Sequence, residues 1–154
     1  KIFNTGMGKP IDNKRQEIFH TFVAKGLFLS KRARPDIQQA IAVLATHVLT
    51  LNEGDWQTLW RIMKYLNRRK DKVLTLGADN LNVIKWLMDA SFGVHPDFKS
   101  HTGAVMTMGK GAIQSMSRKQ KLNPGSSTES ELVGVDDVCT MVLWTKLFLE
   151  AQGY

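Results

Sequence analysis

Val83-Ile84-Lys85-Trp86-Leu87-Met88-Asp89-Ala90-Ser91 decides how this chain is read, because an apolar run interrupted only by Lys85 ends in an acid. A run this short, with β-branched residues at its start, predicts a strand over Val83 to Met88. Apolar side chains at successive positions predict burial on both faces, as in a central strand. Asp89 at the end of such a strand has two readings. It opens the turn toward Pro96, as Asp often does, or it is a carboxylate held at the end of a sheet for chemistry.

Working outward, the apolar period changes near residue 72. After it, Val73 to Leu76, Ala104 to Met108 and Ile113 to Ser117 also read as strands, with Gly109-Lys110-Gly111 as a hairpin signal between the last two. Asn123-Pro124-Gly125-Ser126 then breaks the sheet, and Ser127 or Thr128 begins a long helix running to about Ala151. Before residue 72 the spacing is helical. Ile18, Phe19, Phe22, Val23, Leu27 and Phe28 mark a helix over Arg15 to Leu29. Pro35 with Asp36 starts a second that ends near Leu51, its buried stripe running from Ile37 to Val48. Asp55 reads as the N-cap of a third, closed by Arg68-Arg69-Lys70 at its negative dipole end.

Bulk composition narrows the function. The chain has 154 residues, a hydrophobic fraction of 43% and a formal net charge of +7, which describe a folded protein with one ordinary core or two small ones. The positive charge favours a polyanionic partner, foremost nucleic acid, against a basic but inert surface. Cys139 is the single cysteine, so the chain builds no disulfide framework and no thiolate zinc site, and a reducing, intracellular setting is expected. No apolar run approaches a membrane span, so no membrane partner is expected. The opening Lys-Ile-Phe-Asn-Thr lacks the apolar region of a signal peptide, and the missing initiator Met suggests a fragment. Gly6-Met7-Gly8-Lys9-Pro10 lacks the spacing of a phosphate loop. His20, His47, His95 and His101 show no ligand spacing with acids or Cys139, and Trp56, Trp60, Trp86 and Trp144 read as core.

The second acid of interest is Glu131. At about 100° per residue it shares a line with Val135, Val138, Val142 and Leu149, whereas Glu129 shares the solvent side with Asp136 and Thr140. A carboxylate on an apolar stripe is costly unless paired or bound to metal. Thr128-x-x-Glu131 is equally a capping box, as is Ser126-x-x-Glu129, so the pattern alone leaves Glu131 open.

Four ordered blocks, residues 83 to 91, Lys-Ser-His-Thr-Gly (99 to 103), Ser-Met-Ser-Arg-Lys-Gln (115 to 120) and Ser-Ser-Thr-Glu-Ser-Glu-Leu (126 to 132), resemble the start of the ribonuclease H domain of copia-type retrotransposon polyproteins. Arg34-Pro35-Asp36-Ile37 and Ile62-Met63-Lys64-Tyr65-Leu66 are similar to the helical segment that follows that family's polymerase palm. The resemblance implies an α+β chain. Residues 1–71 would be a thumb- or connection-like helical segment, and 72–154 the N-terminal part of a ribonuclease H-like fold, incomplete, with a three-strand mixed or antiparallel sheet and a long C-terminal helix.

The resemblance further implies a nuclease that cuts RNA in RNA/DNA hybrids with four acids and two Mg²⁺ ions. Asp89 matches the family's first-strand aspartate, and Glu131, in Glu-Leu-Val-Gly-Val, its helix glutamate. Hard oxygen ligands suit Mg²⁺. Ser91 stands where the family's Asp-Ala-Asp has its second acid, and the chain stops at Tyr154, short of the family's later acids. Asp136 and Asp137 read as solvated helix positions rather than substitutes. The polymerase motif with its paired aspartates is absent. Hybrid cleavage by the chain alone is therefore expected to be poor or absent, with Mg²⁺ held weakly. Arg34, Arg68, Arg69, Ser117, Arg118, Lys119 and Gln120 are the expected nucleic-acid contacts, with Lys31, Arg32, Lys70 and Lys121 as further phosphate candidates. A binding or connection module without catalysis is the alternative. The other expected partners are the polymerase palm and the rest of the ribonuclease H domain, in a cytoplasmic particle or the nucleus.

Overall fold

A computed structural model of the chain describes residues 8–154; Gly6 and Met7 of the glycine motif, and the opening Lys-Ile-Phe-Asn-Thr, lie outside the described residues. Helix α1 (Asn13–Arg32) starts where Asp12 Oδ1 accepts the Arg15 amide at 2.9 Å. A 3-10 turn over Pro35–Ile37 leads into α2 (Gln38–Thr46), shorter than the period predicts because the chain turns at residues 47–50. Helix α3 (Glu53–Arg68) is capped by Asn52 rather than Asp55. Asn52 Oδ1 accepts the Gly54 and Asp55 amides, and Asp55 Oδ2 accepts the Asn52 amide in return. The acid that reads as a cap is thus the third residue of the helix, closing a capping box with Asn52, and it is fully buried.

The helices enclose a core of Ile11, Phe19, Val23, Ile37, Ile41, Leu44, Leu51, Leu59 and Ile62. The buried line of α1 is Phe19, Val23, Gly26 and Ser30, so Ile18, Phe22 and Phe28 of the predicted stripe face outward. Gly26 permits this rotation: a Cβ there would stand 2.7 Å from Ile41 Cδ1, so only glycine lets α1 and α2 approach this closely without a shift of Ile41. Trp60 is likewise 54% exposed, because α1 and α3 leave an apolar groove between Phe22, Trp56, Trp60 and Met63.

The strands form two antiparallel sheets. The larger has the order β2-β3-β5, from β2 (Lys85–Ser91), β3 (His101–Thr107) and β5 (Gln114–Lys119). A two-residue ladder joins β1 (Gly77–Ala78) to β4 (Gly109–Lys110). No strand forms over Val73 to Leu76, of which Val73 is 77% exposed and Leu76 56%. The glycine hairpin joins β3 to β5 as the sequence predicts, but with the incoming chain crossing it. Gly109 (φ 156°) and Gly111 (φ 73°) have positive φ, and a Cβ on Gly111 would meet Thr75 O at 2.3 Å.

Two predicted features of the deciding strand change. Asp89 lies inside β2, opposite Gly103, because pairing with β3 continues to Ser91 opposite His101. β2 is also an edge strand among the described residues, with Leu87 61% exposed.

Helix α4 (Ser127–Ala151) crosses one face of β2 and β3, starting where Ser126 Oγ accepts the Glu129 amide. Its buried line is Ser130, Gly134, Val138 and Thr145, rotated by roughly 60° from the stripe read from the sequence, with Val138 common to both; Val135 is 50% exposed and Trp144 61%. Apolar residues occupy every side of this helix, so packing rather than amphipathicity selects the face. At Gly134 a Cβ would make only ordinary contacts, 3.5 Å from Ala90 Cβ and 3.6 Å from both Met88 Sδ and Thr102 Cγ2, so the face is set by the fit of small residues and by polar contacts rather than by a need for glycine. Helix α2 joins the helical part to β5, where Gln38 Nε2 donates to Ser115 O at 3.0 Å. No helix among the described residues is long and apolar enough to cross a membrane.

Arg34 is 6% exposed. Its Nε and Nη2 donate to the two oxygens of Asp36, Nη1 donates to Arg69 O at 3.0 Å, and the guanidinium lies over the Tyr65 ring. The Asp36 carboxyl is held far below the usual range, first by the Arg34 hydrogen bonds and further by the Tyr65 hydroxyl. Removing one partner of so enclosed a pair leaves the other charge uncompensated. Arg34→Met should cost about 2–3 kcal/mol in urea unfolding; an unchanged midpoint would show that the network carries no stability. Gly134→Ala should be neutral or gain up to about 1 kcal/mol from helix propensity, as its methyl makes only ordinary contacts. Gly134→Leu should loosen α4 from the sheet, read as a loss of cooperativity in the same experiment.

Candidate functional site

The side chains of the sheet divide by register. Met88, Ala90, Thr102, Ala104 and Met106 face α4, while Leu87, Asp89, Ser91, His101, Gly103 and Val105 face the other way. On that second face a cavity of about 390 Å³ lies against the end of α2, lined by Pro35, Gln38, Asp89, His101, Ser115 and Ser117 among others. Asp89 is exposed at its border.

Glu131 reaches the same edge from the opposite side. It is half-buried in the second turn of α4, and its Oε1 accepts the Ala90 amide at 3.3 Å. Of the two readings left open for it, the Thr128 box is not the one seen, because its carboxylate is directed at the strand. Glu129 makes the local contact instead, accepting the Gly125 amide at 2.6 Å. The two candidate acids therefore meet consecutive residues of one strand edge, Asp89 as its own side chain and Glu131 through the neighbouring amide. Among the described residues no group of three or more His, Cys, Asp or Glu is arranged to hold a metal ion.

Asp137 differs from its predicted solvated role. It accepts from Thr102 Oγ1 at 2.9 Å and pairs with Arg118, leaving its side chain 9% exposed, while Asp136 is exposed. Gln120 is 1% exposed and donates to Thr102 Oγ1 and Ser130 O at 3.0 and 2.9 Å. It is a core residue that ties β5 to α4 and cannot reach a phosphate. Lys119 is paired with Asp97 at 2.7 Å, and Ser117 Oγ lies 2.7 Å from His101 Nε2. Arg34, Gln120 and Ser117 thus serve the fold, and Arg118 and Lys119 are committed to ion pairs. The alternation of β3 and β5 would have placed Thr102, Arg118 and Gln120 on the helix side, but nothing in the sequence said which residues of α4 they would meet.

Arg68 and Arg69 are exposed at the end of α3, and the Arg34 bond to Arg69 O draws that end to the end of α1. Lys31, Arg32, Arg68, Arg69 and Lys70 are thereby gathered at one end of the helical part. Arg32 lies over the exposed Phe28 ring at 5.7 Å.

Three comparisons with known proteins bear on this geometry. Over 121 residues, 78% of its length, the chain is 30% identical to the "Retrovirus-related Pol polyprotein from transposon TNT 1-94" of Nicotiana tabacum. It is 29% identical over the same share to the corresponding polyprotein from transposon RE2 of Arabidopsis thaliana. The chain is homologous to part of a retrotransposon Pol polyprotein. It spans less than a tenth of the length of these polyproteins, 9% and 8% respectively. The retrotransposon-related segment is also 24% identical over 119 residues to "Secreted RxLR effector protein 161" of Plasmopara viticola, 84% of whose length the match covers. No family model and no solved structure matches it.

In this segment His95 and His101, both buried, lie with Nε2 and Nδ1 3.0 Å apart, a spacing at which the facing nitrogens share one hydrogen. Burial first, then the neighbouring His95, pushes His101 from its ordinary 6.5 down to about 4; burial first, then Lys119, lowers His95. Both are neutral in the fold at neutral pH. Protons bind more readily to the unfolded chain, so this contribution is complete above 6.5 and is lost as pH falls toward about 4. Thermal melting should show stability declining across that window, and less steeply in His101→Gln; an equal slope in both would remove the pair from the acid response.

Proposed function

We propose that the segment supplies the leading part of a ribonuclease H-like unit within a Pol-type polyprotein, preceded by the helices that follow a polymerase palm. The observation that carries this reading is the bond from the Ala90 amide to Glu131, which brings a helix carboxylate to the residue beside Asp89. Two carboxylates on a strand edge are the ligand type Mg²⁺ takes. They fall short of the set that two ions need, so no hydrolytic step is derived for these residues alone. Asp89 and Glu131 are the first two acids of a site whose remaining ligands lie in other parts of the polyprotein. Such a unit would work where the element is copied, in a cytoplasmic particle or the nucleus.

Alone, the segment is proposed to bind an RNA/DNA hybrid without cutting it, through the basic residues gathered at the ends of α1 and α3. For about four phosphate contacts, affinity should fall about a hundredfold between roughly 50 and 200 mM salt. Fluorescence anisotropy with a labelled hybrid reads this directly. Changing Arg68 and Arg69 together to Ala should reduce the slope of log affinity against log salt by about two, while Asp89→Asn leaves it unchanged. Affinity independent of salt, or a double variant that binds like the parent, would refute hybrid binding at this end. A second reading is favoured by one observation. The match to the secreted effector covers most of that protein, which favours the alternative of a binding or connection module without catalysis.

A further inference from the structure

We propose that Gln120 and Thr102 are positioning residues for Glu131, fixing the depth and rotation at which α4 meets the strands and hence where that carboxylate stands. The proposal rests on the reading of Asp89 and Glu131 as acids of one site, and adds the groups that hold them in relation. Thr102 is fully buried and lies opposite Ala90 in the pairing of β2 with β3. Its hydroxyl is used in both directions, donating to Asp137 Oδ2 at 2.9 Å and accepting from Gln120 Nε2 at 3.0 Å. The other hydrogen of Gln120 Nε2 goes to Ser130 O at 2.9 Å, the carbonyl just before Glu131 in α4. One amide group therefore joins the strand residue beside Ala90 to the helix residue beside Glu131. It cannot be turned over, because a carbonyl only accepts and Nε2 must face Ser130 O.

This arrangement is more costly than packing requires. Gln120 Oε1 and Ser130 Oγ are buried and meet no hydrogen-bond partner among the described residues. Polar groups left so are uncommon in folded chains, since each gives up water for nothing in return. Methionine at position 120 would fill a similar volume, and alanine at position 130 would remove the hydroxyl, with no polar atom stranded in either case. Such a contact would lose direction, because apolar surfaces slide over one another while the two N–H bonds of Gln120 admit a single helix position.

Glu131 needs that support. At 3.3 Å its bond from the Ala90 amide is a weak one and does not hold a helix in place by itself. The stronger ties lie on either side of it in α4, at Ser130 O immediately before and at Asp137 within two turns after. Both ties pass through Thr102 and Gln120, so the carboxylate follows from a node on β3 and β5 that it does not touch.

Amide exchange measured by NMR on the whole chain tests this, because the Ala90 amide is directed at Glu131 and reports that contact. Gln120→Met and Thr102→Val should each speed exchange at Ala90 about tenfold. Thr102→Ser, which keeps the hydroxyl, should return it to within about threefold of the parent, and Ser130→Ala should leave it unchanged. The Ile113 amide, bonded to Met106 O at 2.9 Å across the hairpin, is the reference and should keep its rate in every variant. An Ala90 rate unaltered in Gln120→Met and Thr102→Val would overturn the proposal. So would a rise of equal size at Ala90 and Ile113, which marks residues that only stabilise the sheet, or no recovery in Thr102→Ser. The measurement involves neither hybrid nor metal, so its failure leaves the nuclease reading standing, while failure of hybrid binding leaves this contact intact.

Discussion

The close seat of α4 on β2 and β3 is the constraint on which the second half of the structure depends. Ser130 and Gly134 present almost no side chain to the sheet, and Ala90 and Thr102 present little in return, so helix and strands approach until a methyl at position 134 would just reach van der Waals contact with three side chains. Everything polar at this boundary follows from that depth. Glu131 is carried to the strand edge, Asp137 is lowered onto Thr102 and Arg118, and Gln120 reaches the Ser130 carbonyl. Buried polar groups of this kind are tolerable where they bond one another, and they hold the helix in a single rotation about its axis.

The helical half is governed by a different kind of contact. Its apolar core fixes α1, α2 and α3, and the buried Arg34 gathers Asp36, Tyr65 and the Arg69 carbonyl around one guanidinium. That network draws the ends of α1 and α3 together. The fold thus concentrates cations at one end of the bundle, where helix dipoles also favour them. Electrostatic attraction for a polyanion and the stability of the helix ends are served by the same residues, so their number alone does not indicate function. Their common location is what supports binding.

Legibility of the sequence varied with the physics of each element. The hairpin glycines, the Ser126 cap and the length of α4 were readable because they depend on local conformation. Asp55 was read as the cap itself, three residues past the true N-cap Asn52, since the capping box needs Asn52 and the buried contact of Asp55 with His47 lies across a turn. Arg34 and Gln120 read as phosphate contacts because charge and hydrogen-bonding capacity are visible in a sequence while burial is not. The strand order was partly hidden too. Apolar residues on both faces of Val83 to Met88 predicted a central strand, yet the described residues leave its outer edge open.

Residue periodicity by itself determined that helices precede strands, and the glycines where the hairpin turns; pattern alone left the roles of Asp89 and Glu131 open. Resemblance in four short blocks added the kinship to Pol polyproteins. Only the tertiary structure decided which side of α4 meets the sheet. Apolar residues surround that helix, so hydrophobicity favours no single rotation, and the polar contacts of Glu131, Asp137 and the Ser130 carbonyl with the strands hold the one observed. That same choice leaves Val135 and Val142 exposed.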